Sequence, residues 1–353
     1  MVSEKLKDIW RKKGLGESEV YKRVLEYQKN NSKPKPFPEV NCFRKPNCLD
    51  LCLLVTNRCC YSCEFCPNKN NQHEDACDIN LEDLEKFLID ARKRGYAFVA
   101  LTGGEPCLHP RFKELIKLLV EYNMRFSFVS NGRFWEKYKF CLDYKKHLSS
   151  IAFSLDGDKE MHDSFRGKGA FDKVIEALTF FHDKVETSIH MEVNNRNYKE
   201  ITNVIEIIKR FKGLKGAIFP ILFVNKLILS DKQVFEIENM LEKNKYFINK
   251  LPNREVSFGI FRPSSKINPC EYLTRRQITI NPHGEAILCC SEFGMGEGFA
   301  NIREHNVFEI LKRKKEICCE VVNKTFSFLF DTNENYSAKD HCSLCRIARG
   351  IYL

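Results

Sequence analysis

Short apolar runs alternate with longer amphipathic runs through the middle of the chain. The apolar runs have the length of strands: LDLCLLV, AFVALT, RFSFVS, SIAFSL, SIHMEV and AIFPILF. The runs between them space their apolar residues as helices do: LEDLEKFLIDARKR, PRFKELIKLLVEY, FWEKYKFCLDYKKHL, FDKVIEALTFFHDK and YKEITNVIEIIKRF. This alternation predicts βαβ units and a parallel sheet, whose working loops lie at the carboxyl ends of the strands.

The alternation of strand-like and helix-like runs stops towards both ends of the chain. Residues 1–45 combine polar helices with a linker rich in Pro and Asn, which predicts an N-terminal helical extension. Residues 46–230 carry the alternating pattern and form the predicted core. Residues 231–353 predict a second, small domain: an amphipathic helix, a hairpin with its turn at Asn281–Gly284, a polar helix near 307–315, and a tail that ends in cysteines.

Composition is that of a globular protein, with 43% apolar and 29% charged residues. No apolar run approaches the roughly 20 residues of a membrane helix, and the N-terminus lacks the apolar stretch of a signal peptide. We therefore expect a cytoplasmic protein without a membrane partner. The net charge of +10 favours acidic partners, but it is spread along the chain, so a nucleic acid is not the expected partner.

The 17 cysteines narrow the chemistry further. A cytosolic chain does not keep so many cysteines as disulfides, and packing does not require them, so they predict bound metal. Cys59, Cys63 and Cys66 form a C-x3-C-x2-C set directly after the first strand. Three thiolates at this spacing suit three irons of a cubane cluster and leave the fourth iron open. The spacing also allows zinc, with Cys60 or His73 as the fourth ligand.

Three further segments follow the next three strands in order: Thr102-Gly103-Gly104-Glu105-Pro106, Ser130-Asn131-Gly132 and Ser154-Leu155-Asp156-Gly157. With the cysteine triad, this ordered set resembles the radical S-adenosylmethionine (radical SAM) superfamily. The resemblance covers about residues 49–223. It implies a partial (β/α)6 barrel of parallel strands, with a small C-terminal iron–sulfur domain made of the hairpin and helix.

The resemblance also implies a cofactor site. Cys59, Cys63 and Cys66 would hold a [4Fe-4S] cluster, and S-adenosylmethionine would chelate its open iron. Gly103 and Gly104 would let the backbone approach this ligand closely, because they lack side chains. The remaining expected contacts are Glu105 beside the ligand's ammonium group, Phe65 against its adenine, Ser130 and Ser154 towards its polar edge, and Arg166 on its carboxylate.

These contact residues also have simpler explanations. The alternative for the glycines is a tight turn, and for Ser154 or Asp156 it is a helix cap. Arg166 would belong to a surface ion pair.

A second cysteine set comprises Cys270, Cys289 or Cys290, Cys342 and Cys345. Four thiolates suit zinc and a fully ligated iron–sulfur cluster equally well. The segments around them resemble the SPASM or twitch domain, which implies one auxiliary [4Fe-4S] cluster with Cys289 as the hairpin ligand. Cys290 would then be free to return a hydrogen atom to a substrate radical. Alternatively it packs on the other face of the hairpin, since adjacent strand residues point in opposite directions.

The function implied by the resemblance is reductive cleavage of S-adenosylmethionine to a 5′-deoxyadenosyl radical, which removes a hydrogen atom from the substrate. An auxiliary cluster assists, and a low-potential donor such as flavodoxin or ferredoxin supplies the electron. A peptide or protein substrate is preferred. One alternative is a dehydrogenase or epimerase of a sugar, aminocyclitol or other polar metabolite. Another is a metal-binding or electron-transfer module without turnover.

Overall fold

A computed structural model describes much of the predicted core and parts of the C-terminal region. The described residues are 49–66, 76–211, 213–219, 227, 229–230, 232–233, 235–237, 239–240, 257–258, 277–288 and 298–331. The chain divides into two compact units. One comprises Leu49–Ile260 and Gln277–Ile310, and it contains the sheet and the candidate site. The other comprises Met1–Cys48, Phe261–Arg276 and Leu311–Leu353.

A single mixed sheet forms the framework of the first unit. Its strands are β1 (Asp50–Thr56), β2 (Phe98–Gly103), β3 (Arg125–Ser130), β4 (Leu148–Ser154), β5 (Thr187–His190), β6 (Leu214–Phe219), β7 (Ser257–Phe258), β8 (Ile278–Ile280), β9 (Glu285–Ile287) and β10 (Ala300–Asn301). They lie in the order β10-β9-β8-β1-β2-β3-β4-β5-β6-β7, and every neighbouring pair from β8 to β7 is parallel. The predicted α/β class, with a mostly parallel sheet, is confirmed.

In the described part of the chain, five helices lie between parallel strands and a sixth follows β10. They are α1 (Leu81–Lys93), α2 (Phe112–Glu121), α3 (Lys159–Arg166), α4 (Ala170–Phe181), α5 (Ile201–Lys209) and α6 (Val307–Asp331), with short 3₁₀ segments at Pro106–Leu108, Trp135–Tyr144 and Tyr198–Glu200. Four of the five helix-like runs are α-helices as predicted. The third is wrong in type, because Trp135–Tyr144 is a 3₁₀ segment. Its buried residues, Tyr138 and Cys141, are three positions apart, which is the period of a 3₁₀ helix.

One face of the sheet is covered by helices and closely packed. Phe128 on β3 meets the ring of Phe112 on α2 edge-on, with centroids 6.2 Å apart. Phe153 on β4 lies 6.0 Å from Phe181 on α4. Burial alternates along β3 and β4, so the opposite face carries small or polar residues that stay partly exposed. A site on this sheet therefore has an open face and a rigid support behind it.

The predicted hairpin is confirmed and extends the same sheet. β8 and β9 pair antiparallel across the turn, where the Asn281 side-chain oxygen accepts hydrogen bonds from the backbone N–H groups of His283 and Glu285. β8 also pairs parallel with β1, with Leu51 opposite Ile278. The hairpin, which the sequence assigns to the second domain, is thus continuous with the core sheet. The predicted domain boundaries stay predictions.

Candidate active site

The cysteine loop begins directly after β1. Cys63 and Phe65 are buried in one apolar cluster with Phe165, and Cys59 and Cys66 pack against the same cluster. Phe65 meets Phe165 edge-on, with ring centroids 5.3 Å apart. The three cysteines predicted as iron ligands therefore lie on one short loop around a common apolar floor.

The thiols of this loop differ in their electrostatics. A hydrogen bond from Cys60 lowers the pKa of Cys59 to about 6, and the charge of Arg166 contributes in the same direction. Burial raises the pKa of Cys63 to about 11. The Asn131 side-chain amide lies 3.4 Å from the Cys60 sulfur and 3.9 Å from the Cys59 sulfur. Cys59 therefore becomes a thiolate, the form that binds metal, more readily than Cys63 does.

The loop containing Gly103 and Gly104 is docked on the start of the cysteine loop. The Gly104 N–H donates to the Thr56 carbonyl, and the Glu105 N–H donates to the Arg58 carbonyl, each at 2.7 Å. A Cβ atom on Gly103 would lie 2.3 Å from the Thr56 oxygen, and one on Gly104 would lie 2.1 Å from the Arg58 oxygen. The close backbone approach that these glycines permit is therefore between two loops of the chain. Their predicted approach to a ligand stays a prediction.

Glu105 is completely enclosed next to this junction. Its carboxylate accepts hydrogen bonds from the Ser130 hydroxyl at 2.9 Å and from the Asn131 N–H at 2.8 Å. Burial raises the pKa of Glu105 to about 7, although these hydrogen bonds act in the opposite direction. The carboxyl group therefore connects the end of β2 to the end of β3.

Ser130 is held mainly by contacts within the chain. Besides Glu105, its hydroxyl lies 3.0 Å from the Tyr138 hydroxyl and accepts from the Gly132 N–H at 3.0 Å. The structure thus assigns Ser130 to the link between Glu105 and the turn that follows β3. Its predicted contact with a ligand stays a prediction.

Arg166, at the end of α3, forms a buried ion pair rather than the alternative surface pair. Its Nε lies 2.5 Å from an oxygen of Asp156, and both side chains are almost fully enclosed. Burial is the largest influence and acts to lower the pKa of Arg166, but the charge and hydrogen bond of Asp156, together with the charges of Cys63 and Cys59, outweigh it and raise the pKa. The guanidinium also lies 5.5 Å from the centre of the Phe65 ring. The helix cap of α3 is Asp158, so the caps considered for Ser154 and Asp156 are wrong.

Two titratable residues that sequence reasoning missed lie beside Ser154. Ser154 ends β4 and is paired in register with His190 on β5, and the His190 ring lies 3.7 Å from the Glu192 carboxylate. Burial lowers the pKa of His190 to about 4 and raises that of Glu192 to about 7. Their alternation with buried Ile189 and Met191 is the one signal in the sequence that places them on the open face.

The loop also fits an iron–sulfur group by the chemistry of its donors. Among the described residues, no three His, Cys, Asp or Glu side chains converge on a single metal ion. A cubane cluster does not require this convergence, because each thiolate binds a different iron. The buried Tyr61 hydroxyl is held by the Arg133 side chain, so it belongs to the packing of the loop itself.

Several predicted ligands lie outside the described residues. They are His73, the alternative zinc ligand, the four auxiliary ligands Cys270, Cys289, Cys342 and Cys345, and the hydrogen-donor candidate Cys290.

Comparison with known proteins agrees with this geometry. Residues 53–208 match the Radical SAM superfamily. This range begins within β1 and ends within α5, so it contains the cysteine loop, the glycine loop and the buried Arg166. Residues 53–208 are a radical SAM domain. The superfamily consists of enzymes that use S-adenosylmethionine and a [4Fe-4S] cluster, so this part of the chain is enzymatic.

Relatives of the radical SAM domain have different products. Fe-coproporphyrin III synthase of Methanosarcina barkeri is 26% identical over 49% of this chain and 44% of its own length. Sporulation killing factor maturation protein SkfB of Bacillus subtilis is 28% identical over 44% of this chain and 38% of its own length. The match thus spans less than half of either relative.

A solved structure extends the likeness in fold. Streptococcus suis SuiB, determined bound to the precursor peptide SuiA, superposes with a TM-score of 0.61 at 16% identity, over 83% of this chain and 67% of SuiB. This similarity concerns the fold alone. Within the described residues, no helix has the length and apolar character needed to cross a bilayer.

Proposed function

We propose that this protein uses its radical SAM domain to modify a peptide or protein by removing a hydrogen atom from it. The observation that carries the proposal is the convergence of the cysteine loop, the glycine loop and the turn after β3. They meet at the carboxyl ends of neighbouring parallel strands, where α/β sheets place their ligands.

Cys59, Cys63 and Cys66 would hold the [4Fe-4S] cluster, and S-adenosylmethionine would occupy its open iron. When reduced, this cofactor pair supplies the 5′-deoxyadenosyl radical that takes a hydrogen atom from the substrate. The chain's own contribution is to fix the geometry and to limit water. Phe65 and Phe165 supply an apolar floor, and the buried Arg166 places a positive charge near the thiolates.

The remaining predicted contacts belong to the same proposal. Phe65 would face the adenine, Gly103 and Gly104 would offer backbone groups, and Glu105 would lie by the ammonium group. Ser130 and Ser154 would present hydroxyls. Arg166 already pairs with Asp156, so a ligand carboxylate would have to share its guanidinium, whose Nε faces Asp156.

An auxiliary cluster would complete the enzyme. Cys270, Cys289, Cys342 and Cys345 would be its ligands, and Cys290 would be a thiol hydrogen donor. A low-potential protein such as flavodoxin or ferredoxin would supply the electrons.

The peptide preference rests on two of the similar proteins. SkfB is a maturation protein of a killing factor, and SuiB was determined with a precursor peptide. Fe-coproporphyrin III synthase supports the alternative, a small polar metabolite. The partly exposed face of β4 and β5, with Ser154, His190 and Glu192, would receive either class of substrate.

Cysteine variants test the proposal directly. Anaerobically reconstituted C59A, C63A and C66A should each lose most iron and sulfide of the first cluster and all production of 5′-deoxyadenosine. C60A provides the matched control, because Cys60 lies on the same loop and is not a predicted ligand of the iron–sulfur cluster, only an alternative fourth ligand for zinc; it should retain both. Equal loss in C60A, or zinc in place of iron in the wild-type protein, would contradict the proposal.

A further inference from the structure

A surface of exposed basic residues and half-buried aromatic residues begins immediately after the turn that contacts the cysteine loop. We call it the 133–139 patch; it consists of Arg133, Phe134, Trp135, Lys137 and Lys139. The Arg133 guanidinium lies 5.4 Å from the centre of the Tyr61 ring, and Tyr61 belongs to the cysteine loop. The patch therefore starts at a residue in direct contact with the loop that would hold the cluster.

The cations of the patch rest on aromatic rings rather than on carboxylates. Lys137 Nζ lies 5.0 Å from the centre of the Phe134 ring, and Lys139 Nζ lies 4.3 Å from that of Trp135. Arg133 and the two lysines are exposed, and none of the three forms an ion pair with a carboxylate in the described part of the chain. Their charges are therefore directed at solvent, where a partner can meet them.

Acidic groups near the patch do not cancel this charge. Glu136 is the only carboxylate within it, and Glu176 on α4 is engaged by Lys173 at 2.7 Å and faces the Trp135 indole N–H at 3.5 Å. Over residues 133–146 the sequence has five basic and two acidic residues. The surface beside the cysteine loop is thus clearly positive, and half-buried aromatic rings lie between the charges.

We propose that the 133–139 patch is the docking surface for a small acidic electron-transfer protein. The proposal rests on the proposed function, because only a redox group on the cysteine loop needs such a donor. Electron-transfer complexes are small and short-lived, and complementary charge steers them together quickly. A donor docked on the patch would lie against Arg133, which contacts Tyr61, a residue of the cysteine loop between the predicted ligands Cys59 and Cys63.

The test is charge reversal on the reconstituted full chain. K137E/K139E is compared with K86E/K93E, which reverses two exposed lysines on α1. The probe is a purified flavodoxin of net negative charge, and its Kd is measured anaerobically at low ionic strength and again near ~0.5 M salt. We expect the Kd at low salt to rise about tenfold or more in K137E/K139E and to change less than about twofold in the control.

A second readout separates this proposal from the proposed function. Formation of 5′-deoxyadenosine is measured with reduced flavodoxin and with dithionite, a small reductant that needs no docking surface. In K137E/K139E, the flavodoxin-driven rate should fall while the dithionite-driven rate stays at the wild-type value. If dithionite yields no 5′-deoxyadenosine even in the wild type, the proposed function fails, and the Kd comparison still decides the docking surface.

Two results would overturn the docking proposal. One is equal flavodoxin affinity in both charge-reversal variants; the other is a single-stranded oligonucleotide that binds the patch more tightly than flavodoxin and displaces it. Should K137E/K139E fail to fold, K137Q/K139Q replaces it. This neutral variant should weaken flavodoxin binding less than full reversal would, and unchanged affinity would count against the proposal.

Discussion

At the scale of single residues, Glu105 is the most constrained carboxyl group of the candidate site. Both oxygens are used, one by Ser130 and one by the Asn131 backbone, and the side chain has no contact with water. Burial penalises the charged form and raises the pKa of Glu105 from 4.5 to about 7. The group that fastens two loops of the site is therefore titrated near neutral pH.

This pKa predicts a pH-dependent stability. The folded chain holds the Glu105 proton more tightly than the unfolded chain, so the stabilisation is complete below pH 4.5 and is lost as the pH rises towards 7. We expect the unfolding free energy of the wild type, relative to E105Q, to fall by about 2 kcal/mol between about pH 5 and pH 7.5. Urea denaturation of the cofactor-free protein at several pH values measures it.

The control for this prediction is E160Q, which removes an exposed carboxylate at the start of α3. The free energy of unfolding of E160Q should stay within about 0.5 kcal/mol of the wild-type value across the same pH range. A wild-type advantage over E105Q that grows with pH would show that the Glu105 pKa is lowered on folding, contrary to this account.

At the scale of elements, the site depends on how the loops after β1 and β2 dock. The two hydrogen bonds of Gly104 and Glu105 to the Thr56 and Arg58 carbonyls leave no space for a side chain between the loops. Thr56 lies three residues and Arg58 one residue before Cys59, so this contact sets the position of the first predicted ligand. Glycine is required at positions 103 and 104 because the two loops lie too close together for a side chain, whether or not a ligand is bound.

G104A should therefore displace the cysteine loop. Its Cβ would lie 2.1 Å from the Arg58 oxygen, and backbone cannot move as a flexible side chain can. We expect a destabilisation of about 2 kcal/mol or more and a clear loss of iron on reconstitution. Denaturation and iron analysis of the same preparation give both values.

G169A separates this steric effect from backbone strain. Gly169 has φ of +81°, but a Cβ there meets nothing within 4 Å. Backbone strain alone should lower the free energy of unfolding of G169A by about 1 kcal/mol and leave its iron binding unchanged. If G104A and G169A lose iron to the same degree, docking of the two loops does not control the site.

Sequence patterns predicted the repetitive elements well and the irregular ones poorly. β3 matches the predicted run residue for residue, because alternating burial gives a strong signal over six residues. α3 was missed, since it has eight residues and buries only His162 and Phe165. The contacts of Glu105 and Arg166 were also not predictable, because their partners are brought near by tertiary packing and leave no periodic trace.

At the scale of the whole molecule, the pairing of the hairpin and the metal sites differ in how they depend on the sequence. The hairpin was predicted from its turn, but its pairing with β1 was not, since a three-residue strand carries no signal for its neighbour. The predicted ligands of the first cluster, Cys59, Cys63 and Cys66, lie on one short loop, whereas those of the second are far apart in sequence and outside the described residues. Measuring the metal content of the full chain tests both predicted ligand sets together.

The complete protein should contain about eight irons, four for each [4Fe-4S] cluster. The C59A/C63A/C66A variant should retain about four irons, and so should C342A/C345A, because each leaves one ligand set intact. C141A, which removes a buried cysteine outside both sets, should keep all eight. Analysis of iron, sulfide and zinc decides between the outcomes. About one zinc in C59A/C63A/C66A would make the second cysteine set a structural zinc site. If this variant held neither iron nor zinc, there would be no auxiliary metal site. An auxiliary cluster would offer a substrate radical an additional electron acceptor within this chain.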